Sequence, residues 1–453
     1  MNTYYILSII VYILIAIIIV REVILAIRSV SYRNKVELLN PRHPELANTN
    51  QFAFSIGWLG SLDSIIIITF SRILCITNGI SEAFASLPVI MSGIGSIIGI
   101  ELYRPIRNRI GTRSIVGFSY ALFAISALSC MWFVGINSLT GICFSKIIGG
   151  VAMGLLNAIM YRLPSLWKDN EEGIRTATTD TENGLLTAGI LGVFAGGIIA
   201  SHINYVSVYL VEALSAILYF LASRFIFIKK ESSFKNFDKV QKRNLSSNAV
   251  QFILKPTMIS FLLIFILYNG IALCYKQIVF PLFSDKLGFS EQEISDMYIL
   301  VRCLVYFSFG FIEKLLQNVK SRSILIGSQV LMGMSFLVFL WLDTSFLWGS
   351  AMLLITGILC KLIKNHGTVL WNEELYNSQT KSYYANPILM AFTAFVNVIA
   401  PGILSLQLSL GVELMGLVMG LSALCISVLY ALTSSFKPQK YITEGTTNES
   451  SHH

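Results

Sequence analysis

Long apolar runs, separated by short polar segments, follow one another along the chain. The first run, YYILSIIVYILIAIIIV, extends from Tyr4 to Val20 without a charged residue. Its apolar positions neither alternate nor follow a 3.6-residue period, and many runs reach about the 20 residues that a helix needs to cross a hydrocarbon core of about 30 Å. The pattern therefore predicts a polytopic α-helical membrane protein.

These runs predict thirteen membrane spans in a chain built from two halves. The spans cover residues 4–26, 52–74, 82–103, 115–135, 140–165, 178–201, 205–228, 257–282, 293–315, 323–343, 346–366, 385–407 and 413–433. We expect an N-terminal anchor and basic linker over 1–50, a six-helix half over 51–228, a cytoplasmic central loop over 229–255, a second six-helix half over 256–435 and a cytoplasmic tail over 436–453. The predicted fold class is an all-α membrane protein with two six-helix bundles and one extra N-terminal transmembrane helix.

Two short sequences recur in the second half, which indicates an internal duplication. RNRIGTRSIV and LQNVKSRSIL both lie between the second and third spans of their half, and they align Arg113 with Arg322. LPSLWKDNEE and GTVLWNEELY both follow the fourth span, and they align Trp167 with Trp371. Matches in the same order and at nearly the same offset are typical of parallel membrane repeats.

Lysine and arginine concentrate in alternate connections between the spans. The stretch YRPIRNRIGTRSIV, from Tyr103 to Val116, holds four arginines, whereas the segment 136–139 holds no basic residue. Because basic residues favour the cytoplasmic side, this alternation predicts a cytoplasmic C-terminus and an N-terminus outside. Only MNT precedes the first run and basic residues follow it, so we interpret it as a retained anchor and not as a signal peptide. The frequent Ile, Asn and Lys residues and the short loops favour a bacterial plasma membrane.

Composition narrows the function classes. Charged residues make up 13% of the chain, compared with about 25% in soluble proteins. The net charge of +8 comes from residues between the spans, so nucleic-acid binding is not expected. The seven cysteines form no CxxC pair and no cluster with histidine, so we predict neither a metal site nor a disulfide. No GxxxxGK, HExxH or CxxCH motif occurs, which argues against an enzyme, a cofactor or an ATP-driven motor.

One basic loop resembles the loop between the second and third helices of the major facilitator superfamily, which reads GxxxDRxGRR. The matching residues are Arg109, Gly111 and Arg113. The resemblance covers about residues 51–435 and implies that this loop, with Arg322 in the second half, forms a latch on the cytoplasmic side. Asn108 stands at the acidic position of the motif, so Glu101 or Glu313 is the candidate acid of the latch.

Three further motifs resemble motifs of the same superfamily. GVFAGG, which contains Gly192, Gly196 and Gly197, is similar to the GPxxGG motif of its antiporters. The alternative role for these glycines is helix packing alone. SKIIGGVAMG is similar to RxxQGxG, with Lys146 at the arginine position, and LDSIIIITF is similar to the first-helix motif LDxTIVNVALP of drug-efflux antiporters. The resemblance also implies that the first, fourth, seventh and tenth bundle helices line a central cavity.

Ionisable residues inside the spans are the candidate transport residues, because a charge at mid-bilayer costs several kcal/mol unless it has a partner or a wet cavity. Asp63, near the middle of the first bundle helix, is the candidate proton carrier. Lys146 is expected to pair with Asp63 or to bind substrate, and Arg302 needs a carboxylate or an anionic ligand. The seventh bundle helix contributes the candidate lining residues Tyr268 and Asn269 and also Lys276, which is expected either to bind substrate or to snorkel to the interface.

These observations predict a secondary transporter that moves a small solute by alternating access, with proton-coupled efflux as the first hypothesis. The alternatives are an uptake symporter of an anionic or amphipathic solute and a non-transporting membrane receptor or immunity protein. A membrane-embedded transferase is a third class, which lacks the expected cluster of histidines and acids. The expected partners are a small-molecule substrate, the lipid bilayer, protons and a partner subunit at the N-terminal helix.

Overall fold

A computed structural model describes residues 9–21, 23–24, 49–64, 66–107, 109–160, 171–226, 254–264, 291–316, 318–339, 346–377, 398 and 412–435. Within these ranges the chain forms thirteen α-helices and no β-strand. The helices are α1 (Ile9–Arg21), α2 (Thr49–Leu59), α3 (Ile66–Thr77), α4 (Leu87–Arg107), α5 (Thr112–Gly135), α6 (Leu139–Met160), α7 (Glu171–His202), α8 (Tyr205–Ile226), α9 (256–264), α10 (Glu291–Leu316), α11 (Ser321–Phe339), α12 (Phe346–Asn377) and α13 (Val412–Ser435).

Five helical segments of the described ranges are long and apolar enough to cross a membrane. They are Phe84–Arg107, which begins within the short 3₁₀ turn before α4, Thr112–Gly135, Leu139–Met160, Thr181–His202 and Tyr205–Ser223. This finding confirms the prediction of a helical membrane protein. The predicted spans 257–282 and 385–407 lie mostly outside the described residues, and the central loop 229–255 lies outside them except for two residues. The domain boundaries therefore stay predictions.

In the first half, α4 and α6 approach each other more closely than side chains would allow. A Cβ atom on Gly95 would lie 2.1 Å from the carbonyl oxygen of Ile147, and one on Gly150 would lie 2.1 Å from that of Ser92. Because glycine has no side chain, the two backbones can make direct contact. This contact holds α6, and with it Lys146, against the rest of the half.

The predicted span 52–74 is two helices with an interruption between them. α2 ends at Leu59, α3 begins at Ile66, and the described residues of the interruption form turns. The N–H of Leu62 still donates to the carbonyl of Trp58 at 3.2 Å, and the N–H of Ile67 donates to the carbonyl of Asp63 at 2.9 Å. Asp63 thus lies within the interruption, which the uninterrupted apolar run did not predict.

The helix pairs of the first half recur in the second. α5 packs against α6 and α8, and α11 packs against α12 and α13. In the second half, a hydrogen bond joins α9 to α13. It lies between the hydroxyl groups of Ser260 and Thr433, whose oxygens are 2.8 Å apart. The repeated pairing agrees with the duplication that the two sequence echoes indicate.

The two halves meet where α7 packs against α10. We call this contact the seam, and we call the end of the bundle with the turns at Arg109 and Lys320 the basic end. α1 lies on the seam, because Val11, Ile15 and Ile18 share one buried cluster with residues of both α7 and α10. That α1 spans the membrane, as the sequence suggests, stays a prediction.

Candidate functional site

Asp63 and Lys146 form an ion pair inside the first half. Lys146 Nζ on α6 contacts Asp63 Oδ2 in the interruption between α2 and α3. Both side chains are largely buried, with 12% and 9% of their surfaces exposed. Of the two roles expected for Lys146, the described geometry has it paired with Asp63.

Glu212 lies on α8 beside this ion pair and is almost completely buried, with 1% of its surface exposed. It is close enough to Asp63 and Lys146 to interact electrostatically with both. Its Oε2 atom has no hydrogen-bond partner in the described part of the chain. On the same helix, the Tyr209 ring lies beneath Lys146, with Nζ 5.3 Å from the ring centroid. We call Asp63, Lys146, Tyr209 and Glu212 the charged cluster.

Apolar side chains enclose the charged cluster. The buried residues packed around Tyr209 are Ile67, Phe70, Leu74, Cys130, Val134 and Ile142. A hydrogen bond from Trp58 Nε1 to Ser215 Oγ, 3.1 Å long, ties α2 to α8 close to Glu212. Because this surrounding has a low dielectric, charges in the cluster interact more strongly than they would in water.

The charged cluster contains one base and two acids. With all three ionised it carries one excess negative charge, and an unpaired charge at membrane depth costs several kcal/mol. One proton on Asp63 or Glu212 would remove the excess. A proton on Asp63 would also release Lys146, which could then turn toward the second carboxylate or toward a solute.

The other predicted transport residues do not join this cluster. Arg302 lies half-buried on α10 in the second half, within electrostatic range of the Cys360 thiol on α12. Tyr268, Asn269 and Lys276 lie outside the described residues. Their roles as lining residues therefore stay predictions.

A second ion pair joins the two halves and was not predicted from the sequence. Lys364 Nζ on α12 lies 2.5 Å from Glu182 Oε2 on α7. The Lys364 and Glu182 side chains are 25% and 10% exposed. Lys364 is therefore more exposed to solvent than Lys146, which is 12% exposed. The sequence pattern indicates interface charges at both positions, with a proton stop facing the inside as the alternative for Glu182. One signal in the sequence could have indicated the pair. Glu182 and Lys364 have opposite charges, and each lies in the part of its predicted span that is nearer the basic end of the bundle.

The predicted latch residues lie at the basic end. Arg109 and Arg113 are exposed, and Arg322 is half-buried in the first turn of α11, the position equivalent to Arg113 in α5. The carbonyl of Gly111 accepts the N–H of Ser114 at 3.0 Å and so begins α5. Asn108 lies outside the described residues, and the latch itself stays a prediction.

The glycines of GVFAGG lie on α7, and two of them face the interruption at Asp63. A Cβ atom on Gly196 would lie 1.9 Å from the carbonyl oxygen of Leu62, and one on Gly192 would lie 3.0 Å from Ser61 Cβ. Gly197 is half-buried on the same helix. This geometry gives the motif a packing role, because its small residues let α7 support the interruption that carries Asp63.

Comparison with known proteins identifies the fold. The family model described as Major Facilitator Superfamily matches residues 52–365, which is more than half of the chain. The solved D-xylose-proton symporter is similar, with a TM-score of 0.67 and 16% identity over 84% of this chain and 96% of that one.

Two further solved structures share the fold. A mutant of the nucleoside transporter NupG has a TM-score of 0.64 and 12% identity over 86% of this chain and 100% of that one. The POT family transporter PepTSo has a TM-score of 0.64 and 11% identity over 86% and 98%. These likenesses confirm the predicted fold class. No curated protein matches the chain by sequence.

Proposed function

The chain belongs to the Major Facilitator Superfamily, and from this premise we propose that it is a secondary transporter that moves a small solute across the plasma membrane by alternating access, coupled to protons at the charged cluster. The observation that carries the proposal is the buried ion pair of Asp63 and Lys146 with Glu212 beside it. Two carboxylates and one lysine carry one excess negative charge, which a single bound proton neutralises. A purely structural ion pair would need no second carboxylate.

The interruption of the first bundle helix supports the same proposal. Non-helical backbone at membrane depth is tolerated where it is packed in protein or lines a cavity, and discontinuous helices in transporters carry substrate and ion sites. Asp63 lies within such an interruption, with α7 packed against it through Gly196. Protonation of Asp63 would change both its contact with Lys146 and the charge at this point of the backbone.

We propose efflux as the direction of transport, on the resemblance of LDSIIIITF and GVFAGG to antiporter motifs. The packing role of Gly192 and Gly196 accounts for the second motif without antiport, so uptake by symport is the second candidate. A proton gradient imposed on vesicles distinguishes the two. With the inside alkaline, a symporter accumulates the solute, whereas an antiporter loses it from the vesicle.

The substrate class rests on the basic residues at membrane depth. We propose an anionic or amphipathic solute, because the basic residues inside the predicted spans outnumber the acids Asp63 and Glu212; they are Lys146, Lys276, Arg302 and Lys361. Lys146 is paired with Asp63, and Lys361 Nζ lies 4.6 Å from the centroid of the Phe309 ring. Arg302 is half-buried on α10, and we propose that Arg302→Ala weakens transport of an anion more than that of a cation of equal size.

The experiment that tests the function uses proteoliposomes with a pH-sensitive dye inside. The solutes to screen are anions, lipophilic cations, peptides, sugars and nucleosides, because proteins with similar folds include a D-xylose symporter and a nucleoside transporter. The variants are Asp63→Asn and, as a control, Lys314→Gln, which removes one exposed charge on α10.

We expect one solute class to drive proton movement in the parent and in Lys314→Gln, and not in Asp63→Asn. Solute movement without protons in the parent would overturn the coupling and leave a facilitator or a carrier of another ion. Tight solute binding without movement would instead favour the receptor, the candidate that the added N-terminal helix supports.

A further inference from the structure

Helix α1 contacts both halves of the molecule with one face. Val11, Ile15 and Ile18 are buried on this face, with 0%, 3% and 0% of their surfaces exposed. The opposite face carries large apolar side chains such as Ile13, which is 54% exposed. The helix therefore has a protein-facing side and a side suited to lipid.

The contact of α1 with the first half is made on α7. The rings of Tyr12 and Phe194 meet edge to face, with their centroids 5.6 Å apart and their planes at 73°. Ile190 and Val193 of α7 belong to the same buried cluster as Val11 and Ile15. Such an aromatic pair contributes beyond the area that it buries.

The contact of α1 with the second half is made on α10. The guanidinium carbon of Arg21 lies 4.6 Å from the centroid of the Tyr306 ring, which is a cation–π geometry. Ile299, Cys303 and Val305 of α10 complete the cluster under α1. Tyr12 and Arg21 lie near opposite ends of α1, so the helix holds α7 near one end and α10 near the other.

We propose that α1 is a strap across the seam, which stabilises the arrangement in which α7 and α10 lie together and so sets how often the halves separate at the basic end. This proposal rests on the alternating access proposed above. In alternating access the two halves rotate against each other, and a single straight helix cannot keep side-chain contacts to both. The strap must release at least one of the Phe194 and Tyr306 contacts in the other state.

The strap acts through packing and not through the hydrophobic effect. Lipid tails are as apolar as the side chains of Ile15 and Ile18, so these residues gain little from leaving lipid. What holds α1 in place is close packing in the seam and the two aromatic contacts. Truncating a buried side chain should therefore loosen the strap, whereas truncating a lipid-facing one should not.

The test measures the separation of the halves directly and needs no substrate. Spin labels are attached at Ser114→Cys and Ser323→Cys, in a variant whose native cysteines are replaced by serine or alanine. Both positions are exposed near the starts of α5 and α11, at the basic end of each half. Pulsed electron paramagnetic resonance then gives the populations of short and long separations in the full chain in lipid.

The variants to compare are Ile18→Ala, Arg21→Ala, Arg21→Lys and the matched control Ile13→Ala. We expect Ile18→Ala to raise the ratio of long to short separations by about tenfold. Arg21→Ala should raise it by about two- to fivefold, which is the range of an exposed cation–π contact. Arg21→Lys, which keeps a cation over Tyr306, and Ile13→Ala should leave the parental ratio.

Three other outcomes would each contradict the proposal that α1 is a strap. They also show whether the proposed transport function fails with it. Two separations in the parent whose ratio is the same in every α1 variant would leave the transporter and remove the strap. An equal shift in Ile13→Ala and Ile18→Ala would mean that α1 affects insertion and not the seam. One separation in every variant and at every pH tested would remove the rocking of the halves and the strap together. Thermal unfolding in detergent checks that each variant is folded.

Discussion

Among the described residues, one ion pair lies inside a half and another lies between the halves. Asp63 and Lys146 belong to the same half and are enclosed by apolar side chains. Glu182 and Lys364 belong to different halves and are more exposed on the lysine side. In the alternating access proposed above, rotation of the halves would leave the first pair together and separate the partners of the second. We therefore propose that the first pair, with Glu212 beside it, takes part in proton coupling, and that the second stabilises one conformation.

The largest expected effect comes from breaking the pair inside the half. Lys146→Met leaves Asp63 and Glu212 close together without a cation, and removal of one partner from a buried pair costs about 3–5 kcal/mol. We expect a clear fall in the thermal unfolding midpoint and loss of solute-driven proton movement. Lys146→Arg keeps the cation and should retain most of the stability. Parental stability in Lys146→Met would mean that the pair contributes little to the fold.

The next effect concerns the packing that supports the same pair. Gly196→Ala places a Cβ atom against the Leu62 carbonyl, so the backbone at the interruption must shift, at a cost of about 1–3 kcal/mol. Gly189→Ala is the matched control, because its Cβ atom would lie 3.7 Å from Ser61 Oγ, an ordinary contact on the same helix. Transport and unfolding temperature should fall in Gly196→Ala alone. Equal behaviour of the two variants would show that the interruption tolerates movement.

A smaller effect is expected from the pair between the halves. Glu182→Gln removes a partly solvated ion pair, which contributes about 1 kcal/mol or less. The population with the halves apart at the basic end should rise by about fivefold or less, while proton coupling persists. The reversed pair, Glu182→Lys with Lys364→Glu, should return the population toward the parent. Loss of coupling in Glu182→Gln would erase the distinction between the two pairs.

The smallest effect is that of salt. The Debye length falls from about 10 Å at 0.1 M to about 3 Å at 1 M ionic strength, and solvent-exposed charges are screened most. The spin-label separations should therefore shift slightly toward the open form at the basic end as salt is raised. The same titration in Glu182→Gln should show a weaker shift. An unchanged salt response in that variant would assign the effect to other charges, such as Arg109 and Arg113.

Much of the candidate site could be anticipated, but not its geometry. Asp63 and Lys146 stood out because a charge inside an apolar run needs a physical reason. That they contact each other depends on α6 packing against the interrupted helix, where Met153 of α6 lies next to Gly60. The pairing of Glu182 with Lys364 was missed, because two charges almost two hundred positions apart become neighbours only when the halves pack. The continuous span predicted over 52–74 was wrong at its centre for a similar reason. The apolar run at 52–74 is long enough to cross the membrane and so predicts a span. The interruption of this span at Asp63 depends on the packing of α7 against it, which the run does not reveal.

The amino-acid sequence by itself determined that this is a helical membrane protein of two similar halves, because hydrophobic length and repeated motifs are properties of the chain. Tertiary structure alone decided which charges are paired, where the first bundle helix is interrupted and that α1 lies on the seam. These features depend on distances between segments far apart in the sequence, and such distances follow from close packing of whole helices.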